Sequence, residues 1–274
     1  MPSIVPSAST TTTRIAKTPF LNSAPFFHGL SLPPRYELAD CAPREAGQAA
    51  SAGELLAGLL PLADYLRCEE TFERIGRFGI AVRGRARSVM LFSRAPIRML
   101  DGAAIAVTDQ TSSSYLLLRL LLEQRYRLAP ASYMRGQQPD AARPGSSESR
   151  AGDALLLIGD EALRFSRTNT RYPFEVDLAF EWWLWQHLPF VFAVWAIRKD
   201  AAGQDKKSIE SGLAKALGMN SARLEQLAQD YTSALGIPAG ELSAYLSSFL
   251  YRLGQPEEEG IARFKQLVND AHLL

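Results

Sequence analysis

The sequence predicts an α/β protein folded into two lobes, and three observations carry that prediction. Short apolar, β-rich runs alternate with helical stretches from Thr13 to Ile197, the pattern of parallel sheets covered by helices. Two apolar strands, Ser88–Phe92 and Phe190–Ile197, bracket a middle block of roughly a hundred residues. From Ser208 onward the pattern changes to amphipathic helices with no strands. The economical arrangement joins 13–94 and 196–274 into one discontinuous lobe, with 95–195 as the other and the bracketing strands as crossovers. Residues 1–12 are a polar, disordered lead.

Taken in order, Thr13–Pro19 reads as the first strand. Phe20–Pro25 is a turn feeding a helix at Phe26–Leu30, with Asn22 or Ser23 at the cap and Pro25 at the first helical position. Tyr36–Cys41 is a strand, Arg44–Ala52 an Ala-rich helix, Leu55–Leu62 a strand after Gly53, and Asp64–Glu70 a further helical turn. Gly79–Val82 and Ser88–Phe92 look like paired strands joined by the basic turn Arg83-Gly84-Arg85-Ala86-Arg87, a solvated face. Pro96–Asp101 connects to the strand Ala103–Val107 and the helix Tyr115–Leu122. Tyr133 lies in a short strand, and Gln137–Arg150 is a polar, mobile loop. Ala154–Ile158 is a buried strand ending at Gly159-Asp160, with a helix from Glu161. A Trp-rich helix over Leu178–His187 stops at Pro189. The tail reads as helices over Ser208–Leu217, Ser221–Leu235, Ala239–Leu253 and Glu257–Leu273.

Composition excludes several classes. With 30 Lys+Arg against 29 Asp+Glu and no charge blocks, nothing suggests a nucleic-acid or membrane-surface partner. Leu178–Ile197 is near spanning length, but Glu181, Gln186, His187 and Pro189 interrupt it, so we read a soluble cytoplasmic protein. Cys41 and Cys68 are too few for a disulfide framework or a zinc site. No Gly-rich phosphate loop, Cys/His cluster or GxSxG elbow is present, so no cofactor or metal is expected.

What remains is rich in hydroxyls. Thr108-Asp109-Gln110-Thr111-Ser112-Ser113-Ser114 joins a strand to a helix start, where unpaired N–H groups and a partial positive charge suit a carboxylate or phosphate. Thr111 or Ser112 as a plain helix cap is the alternative, but four hydroxyls in a row exceed what a cap needs. Asp160 ends a strand and either faces the cleft or caps the next helix. Asn22 carries the same two readings. His28 could approach from the first helix, and Trp182, Trp183, Trp185 and Trp195 read as core filling. A ligand would sit outside the strand ends, where the Asn22, Thr111 and Gly159 turns converge.

The order TRIAKTPFLNSAPFFHGL, RSVMLFSRAPI, AIAVTDQTSSSYLLLRLLL, LLLIGDEAL and LPFVFAVW resembles the chorismate dehydratase family of the futalosine route to menaquinone. The resemblance implies a type II periplasmic-binding-protein-like fold and loss of water from chorismate to give 3-[(1-carboxyvinyl)oxy]benzoate. It also implies Asn22 as the catalytic-site asparagine, Ser88 lining the pocket, and Thr111, Ser113 and Ser114 holding carboxylate; from the converging turns themselves, Ser23, Ser112, Gly159 and Asp160 are expected to bind substrate as well. Ser113-Ser114 departs from a Thr-Ser pair common in relatives, and Arg44–Ala50 is shorter and richer in Ala. No general base lies in these motifs, which leaves the substrate's own enolpyruvyl carboxylate, with Asp160 or His28 as poorer candidates. The expected partner is chorismate, the protein acting as a monomer or homodimer. Rival readings are a non-catalytic carboxylate sensor and the sister enzyme dihydroxynaphthoate synthase, whose Cys-Pro-Asn-Asp-type first turn is absent at Leu21–Pro25.

Overall fold

The computed structural model describes residues 13–136 and 152–274; the expected lead over 1–12 and the loop over Gln137–Arg150 lie outside the described residues. Eleven strands are described: β1 (Thr13–Lys17), β2 (Tyr36–Asp40), β3 (Ala57–Pro61), β4 (Phe72–Val82), β5 (Val89–Ser93), β6 (Ala104–Val107), β7 (Ser132–Arg135), β8 (Ala154–Ile158), β9 (Phe174–Asp177), β10 (Phe190–Arg198) and β11 (Phe249–Arg252). They form a six-stranded sheet ordered β11-β4-β10-β3-β1-β2 and a five-stranded sheet ordered β7-β6-β8-β5-β9. β1 pairs in parallel with β2 and β3, and β6 with β7 and β8, each link carrying a helical or long crossover. β10 lies antiparallel between β3 and β4, and β5 antiparallel between β8 and β9.

The chain crosses between sheets twice, at 83–88 and through the helix Leu178–Gln186 to Pro189. Gly79–Val82 and Ser88–Phe92 are therefore not a hairpin: the first belongs to β4 in the large sheet, the second to β5 in the small one. The turn read as closing a hairpin instead connects two layers. Its expected basic face does stand in solvent, with Arg83, Arg85 and Arg87 exposed. The expected first lobe thus loses its last strand, because Val89–Ser93 pairs with Ala154–Ile158 and Phe174–Asp177.

The tail also departs from an all-helical reading. Gly203–Ser221 is one helix, so Ser221 ends rather than starts an element. The expected Ser221–Leu235 helix is two short pieces, Leu224–Gln229 and Thr232–Leu235. Ala239–Ser247 stops before β11, whose Phe249 and Tyr251 point inward and whose Leu250 does not. That two-residue alternation is too short to show against the helical pattern preceding it. The expected helix Tyr115–Leu122 runs as α-helix over Ser113–Arg119 and then widens into a π-turn over Leu120–Arg125, where the Tyr126 N–H reaches back to Leu121 O.

Aromatic packing places the first turn. Phe26 meets Phe78, Trp195 and Tyr251 edge to face at 5.6–6.0 Å, and Trp182 meets Phe190 and Phe264 in the same manner. Trp182 and Trp195 are fully buried, as core residues. Asn220, buried at the end of its helix, donates from Nδ2 to Pro25 O (3.0 Å) and His28 O (2.8 Å). It anchors the backbone next to Asn22. Among the described residues no helix is long and apolar enough to cross a membrane.

Asn220→Ala removes both bonds and strands two carbonyls, so it is expected to lower unfolding stability by about 2 kcal/mol in urea titration. An unchanged midpoint would show the anchor to be idle.

Candidate active site

The carboxyl end of β1 leads into a turn that cannot stay extended. The Ser23 hydroxyl is directed at Thr18 O (2.5 Å) and Phe20 O (2.7 Å), and its N–H at Phe20 O, closing a 3-10 turn over Leu21–Ser23. Pro25 follows as the second residue of the short helix Ala24–Phe27, in the first turn where its missing N–H costs nothing. Asn22 rides on this turn half-buried, and its side-chain amide has no intramolecular partner among the described residues.

Across the seam, β6 ends in the hydroxyl-rich turn. Ser112 occupies the cap position of the following helix but makes no side-chain capping bond. Thr111 Oγ1 is buried without any hydrogen-bond partner. The plain-cap reading of these two hydroxyls therefore fails here. Ser113 Oγ accepts the Ala63 N–H at 3.0 Å, from the start of the helix Leu62–Arg67 in the other lobe.

Asn22, Thr111, Ser112, Ser113, Ser114 and Gly159 line one cavity of about 530 Å³, part of it open to solvent. Thr18 and Phe20 join them from the first turn, with Pro43, Leu59, Pro61, Ile80, Val89, Ile158, Phe192 and Ala193 making apolar walls. No ionisable side chain is among its described lining residues. Gly159 has a φ of +59°, and a Cβ there would lie 2.9 Å from the Phe20 ring, so only glycine lets that aromatic wall close. The β4–β10 register slips between Val191 and Ala193, leaving Phe192 in a bulge that aims it inward.

Three expected residues do not line the cavity. Ser23 spends its hydroxyl on its own turn. Ser88 is fully buried: its Oγ accepts the Tyr245 hydroxyl at 2.8 Å and its carbonyl the Gly159 N–H at 2.7 Å. Asp160 accepts the Leu21 N–H at 3.0 Å, tying the Asn22 turn to the Gly159 turn across the seam. All three brace the walls. His28 is exposed on the outer surface, its Nδ1 3.9 Å from Asp230, and takes no part. The apolar walls were invisible to a search for polar motifs. Phe20, Val89 and Phe192 nonetheless lie within three of the stretches that carry the family resemblance.

The seam is closed by backbone-borne contacts, Ala63 to Ser113, Leu21 to Asp160, and the Arg44 N–H to Gln110 O at 3.3 Å, and by the Arg44–Asp109 ion pair, also at 3.3 Å. Behind the hydroxyls, burial pushes the Asp64 carboxyl above its usual range while Ser112 and Arg67 pull it back. Asp160 is likewise raised by burial, against the opposing Leu21 N–H.

Residues 13–270 match the family described as "Menaquinone biosynthesis". The chain is 30% identical over 261 residues to the chorismate dehydratase of Thermus thermophilus, covering 90% of this chain and 92% of that one. Its structure superposes on a protein of Archaeoglobus fulgidus with a TM-score of 0.76 at 16% identity, over 97% and 100% of the two chains. The alkanesulfonate-binding protein of Xanthomonas axonopodis pv. citri, bound to MOPS, gives a TM-score of 0.65 at 15% identity over 98% and 96%. The fold is periplasmic-binding-protein-like.

Two outcomes follow for stability. Thr111→Val deletes a hydroxyl with no partner, so unfolding stability should stay level or rise slightly; a loss above about 1 kcal/mol would show a hidden bond. A carboxyl raised on folding contributes stability that is complete below its unfolded value of about 4 and lost as pH rises through the folded value. Asp160→Asn keeps an acceptor for the Leu21 N–H, so it should gain on wild type as pH rises above about 4 in urea unfolding. A difference that is flat or shrinks over that rise would contradict the burial argument.

Proposed function

The chain belongs to the menaquinone-biosynthesis family, and on that premise we infer that it is a chorismate dehydratase whose hydroxyl-lined cavity is the active site. The observation that supports the site is the pair of unpartnered polar groups, Asn22 on one lobe and Thr111 Oγ1 on the other, lining one cavity. A buried hydroxyl without a partner costs stability, and a bound carboxylate removes that cost. We further propose that the reaction lies on the futalosine route and that the protein works in the cytoplasm, where the two free, buried thiols Cys41 and Cys68 suit a reducing compartment.

Chorismate carries a ring carboxylate conjugated through a double bond to the carbon bearing the enolpyruvyl ether. The C–H at that carbon is vinylogously acidic, and the hydroxyl on the next carbon is the leaving group. Taking the proton sends negative charge to the ring carboxylate; expelling the hydroxyl as water restores an aromatic ring. Donors fixed on that carboxylate act most strongly when its charge is greatest, which is how they accelerate the step. Thr111, Ser113 and Ser114 are those donors in our reading. Ser113 is oriented for the task, because its oxygen already accepts from Ala63 and its proton is left to donate.

Asn22 holds the leaving hydroxyl or the side-chain carboxylate from the opposite lobe. Asp160 is committed to the Leu21 N–H and His28 lies outside, so neither is placed to take the proton. The substrate's enolpyruvyl carboxylate is the remaining base, held near the C–H by the closed apolar walls.

Asn22→Ala should keep its fold, judged by circular dichroism, and lose about 10²–10³ in kcat with chorismate, followed by appearance of the benzoate product. Normal turnover would end the assignment. With no ionisable side chain in the lining, kcat should be level from about pH 6.5 to 9, and an inflection there would reveal a protein base.

A further inference from the structure

A second cavity lies where the first crossover, the helix Gly159–Thr168 and the helix Ala239–Ser247 of the tail meet. It encloses about 1020 Å³ against about 530 Å³ for the hydroxyl-lined pocket, both including space at the mouth. The two are separate. Val89 lines the first and Met90 the second, and successive strand residues point to opposite faces of the small sheet.

Its charges are arranged unevenly. Arg167 is paired with Glu241 across the cavity at 2.8 Å. Asp177 is buried, with its oxygens on the N–H groups of Arg87, Ala179 and Phe180. Arg85 and Arg87 have no carboxylate partner among the described residues, although both line the cavity. Arg85 is held in place, its Cζ 4.2 Å from the centre of the Phe180 ring. Arg87 has a φ of +61°, a costly conformation for a side-chain-bearing residue, maintained by its N–H bond to Asp177 at 2.7 Å. The same cavity is lined by the apolar side chains of Met90, Leu163, Ile237 and Leu242.

We propose that this cleft is a second binding site, for a small organic acid whose anionic group is taken by Arg85 and Arg87 and whose apolar body lies against Met90, Leu163, Ile237 and Leu242. Planar guanidiniums bind carboxylate, sulfonate or phosphate oxygens in pairs, and two free ones beside an apolar wall match that class of ligand. The site is joined to the first one: Tyr245 in its wall donates to Ser88, whose carbonyl holds the Gly159 N–H.

The test uses 8-anilinonaphthalene-1-sulfonate, an apolar organic anion that brightens when it leaves water, titrated into the full chain saturated with 3-[(1-carboxyvinyl)oxy]benzoate. One equivalent should bind. Arg85→Gln with Arg87→Gln should weaken it about tenfold or more, and the double Lys variant should recover part of the loss. Both variants should match wild type in melting temperature and in chorismate turnover. Probe binding that is absent, displaced by the benzoate, or unaffected by the Gln pair would overturn the proposal. Turnover on the same preparations tests the dehydratase reading by itself, so the two can fail separately.

Discussion

In the proposed site an anionic substrate is held across a seam between two lobes by groups that carry no charge, and that constraint gives the architecture around the cavity its sense. Hydroxyl and amide dipoles are worth little in water, where they reorient, and much more in a closed apolar enclosure, where they cannot. Leu59, Ile80, Ile158, Phe20 and Phe192 supply the enclosure. A lysine or arginine in the lining would bind the carboxylates of the ground state tightly whether or not the reaction proceeds. Neutral donors gain most when charge moves onto the ring carboxylate, and that difference is what lowers a barrier.

The polar groups around the seam divide into two sets. Ser23, Ser88 and Asp160 have their hydrogen-bonding capacity taken up by turns and strand ends. Thr111 and Asn22 have theirs left open. The first set rigidifies the second: Asp160 holds Leu21, the neighbour of Asn22, while Ser88 holds Gly159, whose missing side chain admits the Phe20 ring. Committed and open polar groups are therefore different residues drawn from the same short motifs, which is why a motif cannot say which is which.

Much of the fold was legible because strands buried on both faces, such as Ala154–Ile158 and Ala57–Pro61, leave uninterrupted apolar runs between turn residues. The crossover at 83–88 was not, since a basic five-residue turn between two apolar strands is also what a hairpin looks like. Only pairing partners distant in sequence distinguish the two. β9 and β11 were missed because each is four residues long and abuts a helical run, β9 leading into Leu178–Gln186 and β11 following Ala239–Ser247, so neither shows a period of its own. In the site, the hydroxyl run and Asn22 stood out by residue type, whereas Phe192 reaches the cavity through a register slip between β4 and β10 that no local pattern encodes.

The two crossovers do not act independently. Asp177 ends β9, caps the crossover helix through the N–H groups of Ala179 and Phe180, and takes the Arg87 N–H of the other crossover on its second oxygen. One buried carboxylate thus serves both connections between the sheets. Burial raises its pKa while the N–H groups oppose the rise, so the carboxylate is stable there only with those bonds intact. A relative rotation of the lobes that separated the two crossovers would have to break a charge-assisted bond inside the protein. Rotation that carried both together would not. Asp177 thus couples the two crossovers to each other, on top of the direct contacts between Ala63 and Ser113 and between Leu21 and Asp160.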